Sequence, residues 1–448
     1  MARTKDMTYG KPGRLMFGFA LPLMFGNVFQ QMYTIVDTFV VGQVLGVEAL
    51  AALGASEWFN WLVLGTIVGF TQGFSIIIAQ RFGADDKEGL RRSVTMSTLL
   101  AVLFALGMLI FSQALARPML IFLNTPENIV DLAIIYMRVT YAGVPVIMAY
   151  NTLSAILRAL GDSKTPLYAM IIASFVNVVL DTLFVVVFHW GIAGAAYATV
   201  IAQLISCVFC YSVVRKISIL KLRKEDWKPQ FRMLKNILLL GAPTAFQNTI
   251  IAIGGLVVQY VINGFGFIYV AGFTATNKLY GLLEIAASSY GYSASTFAGQ
   301  NLGAKKYHRI KEGIRAGCIM AVVTSAVISF IMLIFGRLIV ALFISGEPSE
   351  VEAVIVVAHR YLNTMAVLLF VLYLLHLYRS ALQGMGDTIT PMISGIVELI
   401  MRISIILILP KLIGEWGLYF AEVAAWTGAE VLLMVMYYYR IHHLLKSE

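Results

Sequence analysis

The sequence predicts an all-α integral membrane protein with twelve transmembrane helices. They are arranged as two parallel six-helix lobes, with pseudo-twofold symmetry along the membrane normal. Three observations carry this. Of 448 residues, 59% are hydrophobic and 13% charged, about half the ~25% charge of soluble domains. Apolar stretches long enough to cross about 30 Å of hydrocarbon recur along the whole chain. The second half also repeats landmarks of the first.

The spans fall roughly at 15–43, 50–79, 91–115, 129–157, 166–189 and 192–214, then 234–263, 270–300, 312–344, 352–383, 391–413 and 416–440. The first is too long for a signal-peptide core and lacks a small-residue cleavage pattern, so it is read as a span. With both termini inside, inner segments hold 26 of the 33 Lys and Arg, and only Arg117, Arg138, Arg337, Arg360 and Lys411 fall outside. This asymmetry fixes orientation, and the chain is expected in the cell's inner (plasma) membrane. The net charge of +9 is therefore a topology signal with some affinity for anionic lipid, and no nucleic-acid partner is expected. Cys207, Cys210 and Cys318 all lie within spans and read as packing residues.

The repeat has a steady offset. Pro22 opens a span whose partner ends Ala79-Gln-Arg-Phe-Gly-Ala84, and Pro243 opens one whose partner ends Gly299-Gln-Asn-Leu-Gly-Ala304. Ala159-Leu-Gly-Asp-Ser-Lys-Thr-Pro166 is echoed by Gly384-Met-Gly-Asp-Thr-Ile-Thr-Pro391, and Trp190-Gly191 by Trp416-Gly417. The division is an N-lobe at 1–214, a basic cytoplasmic linker at 215–233 and a C-lobe at 234–448. A polar cleft between such lobes is the expected place for alternating access. In the repeated Gly-Asp-x-x-Thr-Pro turns, Gly161 and Gly386 suit a sharp turn, while Asp162 and Asp387 suit a helix cap.

Asp37 and Asp181 each sit inside a long apolar segment, where a charge costs roughly 3 kcal/mol and usually faces a cavity or a partner. Asn177 precedes Asp181 by one helical turn, and Tyr33 and Gln30 precede Asp37 by one and two turns. Asp181 lies about 15 residues into its span, roughly 22 Å at 1.5 Å per residue. That is the outer half, where Asp37, Thr199 and Tyr136 also fall. Oxygens converging from Asp37, Asn177, Asp181 and Thr199 suit a hard cation such as Na⁺. They suit a proton equally well.

The second lobe lacks equivalents: Val258, Arg402 and Ile406 stand near the matching positions. Glu398 and Arg402, four residues apart, read as a local salt bridge. Glu284 is a candidate for contacting a cationic ligand, and Gln247 and Asn248 for lining the cleft together with Gln30 and Tyr33. Glu422 and Glu430 have no evident partner in the sequence.

Taken together, the two parallel halves, Pro22 with Asp37, the two Gly-Ala-ended motifs, Arg158-Ala-Leu-Gly-Asp162 and Asn177-Val-Val-Leu-Asp181 resemble the multidrug and toxic compound extrusion (MATE) family over nearly the whole chain. The resemblance implies an antiporter that exports cationic amphipathic small molecules in exchange for external Na⁺ or H⁺; a monomer embedded in membrane lipid, with no cofactor, is expected. It implies a first-lobe cation site at Asp37, Tyr136, Asn177, Asp181 and Thr199. Span seven carries Gln247 and Asn248 where one branch of the family has an acid, which points to coupling through the first lobe. A lipid-linked precursor flippase of the same superfamily is the alternative; it favours a strongly cationic cavity, and here only Lys278, Arg402 and Arg379 are available. An enzyme is not expected, since Asp85-Asp86 lacks a third acid and His189 stands alone.

Overall fold

The computed structural model describes residues 4–123, 125–342, 344 and 348–446, and no strand occurs among them. The extreme termini, expected inside, lie outside the described residues. Fifteen α-helices follow in order: α1 (Pro12–Val44), α2 (Val47–Gly83), α3 (Lys87–Phe122), α4 (Glu127–Ala142), α5 (Val144–Ala159), α6 (Lys164–Asp181), α7 (Gly191–Val214), α8 (Phe231–Asn263), α9 (Phe267–Gly303), α10 (Tyr307–Ala341), α11 (Pro348–Val367), α12 (Leu369–Gly384), α13 (Ile389–Ile413), α14 (Trp416–Tyr419) and α15 (Ala421–Lys446).

These account for the twelve expected spans. Among the described residues, eight helical segments are long and apolar enough to cross a membrane alone, and ten once each bent pair counts as one span. The two remaining long helices are α1 and α9, whose apolar runs are interrupted by Gln30, Tyr33 and Asp37, and by Lys278 and Glu284. The α4–α5 pair bends by 46°. Gly143 at the break and Pro145 in the first turn of α5 explain it. The α11–α12 pair bends by 52°, with no proline or glycine at the break to account for it.

The chain divides into two compact units. One comprises Met1–Asp6 and Leu21–Ala245, the other Met7–Ala20 and Phe246–Glu448. The two changes of unit that fall within helices lie beside the repeat prolines, Pro22 in α1 and Pro243 in α8.

In the first unit, α2 packs on α3, α4 and α5, and α7 packs on α5 and α6. Phe59 meets Tyr141 edge-on at 5.5 Å, and Phe70 stacks on Phe104 at 3.9 Å. The start of α8 crosses α2 at glycine: a Cβ on Gly73 would lie 2.3 Å from the Gly241 Cα. Small residues there let two backbones meet, as helix pairs in lipid require.

The second unit is built around α9, which packs on α10, α11 and α12, while α15 packs on α12 and α13. Phe273 stacks on Tyr361 at 4.1 Å. The second Gly-Ala-ended motif has a structural task here. Gln300 accepts from the Met7 amide at 2.8 Å, and Asn301 donates to the Met7 carbonyl at 3.3 Å.

Both Gly-Asp-x-x-Thr-Pro turns form as the sequence suggests. Gly161 and Gly386 share a φ of 81°, a conformation that only glycine adopts without strain. Asp162 accepts from the Lys164 and Thr165 amides, each at 3.0 Å, and Asp387 from the Thr390 amide at 3.0 Å.

The segment joining α7 to α8 is folded against the first unit. Ile217 and Leu220 are buried in that unit's apolar core. Asp226 accepts from Arg91 Nε at 3.1 Å, and its carbonyl accepts from the Thr95 hydroxyl at 2.6 Å.

Candidate functional site

Asp37 lies in the last third of α1, and Asp181 is the final residue of α6, where the chain widens into a π-helical turn at Thr182–Val187. Such turns displace the helix face locally and recur at functional positions. Asp181 and Asn177 are fully buried, Asp37 nearly so. The two carboxyl groups lie close enough to act directly on each other.

The other expected residues gather around this pair. Asn177 Nδ2 donates to the Thr199 hydroxyl of α7 at 3.3 Å. Tyr136 of α4 lies in the field of both Asp37 and Asp181. Tyr33, read from the sequence with the cleft, belongs here as well: its phenol meets Gln203 and Gln30 and lies beside Asp37.

Gln203 is the residue the sequence reading missed. It stands one turn beyond Thr199 on α7 and is buried. The four-residue spacing from Thr199 was the available signal, but an amide in a span is cheap enough to pass as packing.

The chemistry of the cluster is set by its acceptors. Asp37 Oδ1, Asn177 Oδ1, both Asp181 oxygens and Gln203 Oε1 are buried without a hydrogen-bond donor from the protein. Buried acceptors left so are costly, and two adjacent carboxylates repel unless a positive charge sits with them. An all-oxygen set holding at most two negative charges fits a monovalent hard cation, or a proton shared by the pair. Among the described residues, no three His, Cys, Asp or Glu side chains cluster as a metal site.

The second unit is arranged differently, and one expectation is corrected. Glu398 and Arg402 do not pair with each other. Arg379 of α12 donates to Glu398, and Arg402 donates to Glu422 of α15 at 2.7 Å. The reason is burial: α12 and α15 flank α13 and bring opposite charges to its face, so each charge finds a partner on another helix. Arg379, counted from sequence with the inner segments, is thus a buried residue.

Glu284 faces His376 at 3.4 Å. Gln247 is buried and accepts from Gln383 at 3.3 Å, so it packs within its own unit. Asn248 is half-buried. Glu430 is buried, and both its oxygens lack a hydrogen-bond donor from the protein.

The MatE family model matches residues 22–183 and 243–408, the two halves of the repeat. The probable multidrug resistance protein YpnP of Bacillus subtilis is 31% identical over 349 residues, covering 77% of each chain. The probable multidrug resistance protein NorM of Thermotoga maritima is 24% identical, covering 89% of this chain and 86% of its own. A solved structure of MATE in complex with MaL6 superposes over the full length of both chains, with a TM-score of 0.92 at 23% identity. The matched residues span both halves and include Asp37, Asn177 and Asp181. The chain is a member of the MATE family of transporters.

Proposed function

We propose that the protein is an antiporter that exports cationic amphipathic small molecules in exchange for Na⁺ or H⁺ taken up at the Asp37–Asp181 pair. The single observation that supports this most is the convergence of two buried carboxyl groups with Asn177, Thr199, Tyr136 and Gln203, leaving acceptor oxygens unanswered by protein donors. The names of the relatives, probable multidrug resistance proteins, agree with the substrate class.

In this reading both termini are cytoplasmic, the protein acts as a monomer in the plasma membrane, and the cation arrives from outside. Binding neutralises the pair and lets the surrounding helices repack, and drug release follows. Coupling then equals the difference in cation affinity between the two states. The flippase alternative loses support in the second unit, where Arg379 and Arg402 each already answer a carboxylate and leave little positive charge for a pyrophosphate.

Ethidium efflux from reconstituted vesicles, with Na⁺ and pH gradients imposed separately, tests the reading. Efflux under one gradient that is lost in Asp181→Asn supports it and names the ion. A correctly inserted protein that moves ethidium under neither gradient overturns it.

A further inference from the structure

The segment between α7 and α8 carries more than a connection. From Arg215 to Lys235 it holds eight basic residues and two acids, and one of those acids, Asp226, is buried against Arg91. Three large apolar side chains in the same stretch face outward: Leu222 is 39% exposed, Trp227 41% and Phe231 83%. A tether between two helical halves has no need of exposed aromatics, and burying them internally was open to the fold, as Ile217 and Leu220 show.

The anchors fix where this surface lies. Arg91, Thr95 and Met96, which hold Asp226 and Gln230, stand four to nine residues into α3. At 1.5 Å per residue that is about 6–14 Å from the helix start. Both ends of the segment run directly into membrane helices. The segment therefore hugs the helix ends at headgroup depth. Trp at that depth is the usual membrane-interface residue, with its ring in the acyl boundary and its N–H in the polar layer. Lys221, Arg223, Lys224, Lys228, Arg232 and Lys235 around it are all exposed.

We propose that residues 215–235 form a pre-folded docking surface for anionic phospholipid headgroups of the adjoining leaflet. The basic side chains contact the phosphates, and Trp227 and Phe231 seat in the acyl boundary. The combination of a polybasic stretch with apolar anchors is what gives stable surface binding, since neither alone suffices. Holding the segment rigid through Asp226 and the buried Ile217 and Leu220 lowers the ordering cost of that binding.

The test uses the whole protein reconstituted in phosphatidylcholine, with a minor share of brominated lipid as a quencher of tryptophan emission. Brominated phosphatidylglycerol should quench more strongly than the same share of brominated phosphatidylcholine, and the excess should vanish in Trp227→Phe. It should also shrink when Lys221, Arg223, Lys224 and Lys228 are changed to Gln, each basic side chain being worth about fivefold in local enrichment. Inorganic phosphate at matched ionic strength should leave the excess intact. Equal quenching by the two lipids, or an excess that survives Trp227→Phe, overturns the proposal. Loss of the excess on adding phosphate assigns the surface to a soluble phosphate-bearing ligand and overturns it too. No readout depends on transport, so its failure and that of the exporter reading are distinguishable.

Discussion

The carboxyl group of Asp37 on α1 lies against that of Asp181 on α6, with Tyr136 of α4 in the field of both. In the second unit Glu398 and Glu422 each meet an arginine, whereas Glu430 has no hydrogen-bond donor from the protein at either oxygen. On the proposed reading, the counter-charge of the Asp37–Asp181 pair is a mobile cation.

If the pair acts as one unit, Asp37→Asn, Asp181→Asn and the double variant should all abolish gradient-driven efflux to the same extent, at normal membrane levels. Residues that work as a unit are strongly non-additive. A double variant much worse than either single one contradicts this.

Thr199→Val removes the acceptor for Asn177 Nδ2, an oxygen of the proposed cation site, while keeping shape. Loss of a hydrogen bond is worth about 1 kcal/mol, roughly fivefold in the cation concentration for half-maximal efflux. The maximal rate at saturating cation should change little. Gln203→Leu, which removes the unanswered Oε1, should act in the same direction.

Arg379 and Glu398 are both deeply buried, so the cost of breaking the pair is asymmetric. Arg379→Ala strands a carboxylate and should lower stability by about 3–5 kcal/mol. Replacing both residues with methionine should restore most of that loss. Thermal unfolding in detergent distinguishes the two.

At the α2–α8 crossing, a Cβ on Gly73 would press on Gly241 backbone. Gly73→Ala should cost about 1–3 kcal/mol by overpacking, whereas Gly54→Ala, with open space around it, should be near neutral or stabilising. The midpoint of thermal unfolding compares them.

Much of this was legible in the sequence because lipid leaves few choices. Apolar length marks spans, and a carboxylate in a span is costly enough to mark itself, as Asp37 and Asp181 do. Asn177 follows from helical spacing, and Thr199 and Tyr136 from depth once orientation is set. Partner choice was not legible. Arg402 has Glu398 one turn away in sequence, yet it pairs with Glu422, because the competing charge arrives on another helix. The folding of residues 215–235 was hidden for a related reason: its anchors, Ile217, Leu220 and Asp226, are three residues scattered through a strongly charged stretch.

The most direct test is to count cations bound to the purified protein, by Na⁺ titration calorimetry and by acid–base titration, for wild type, Asp37→Asn and Asp181→Asn. The account predicts cation uptake by wild type that is missing from both variants, with the ion named by whichever titration shows it. Uptake unchanged in both variants would contradict the assignment of the Asp37–Asp181 pair.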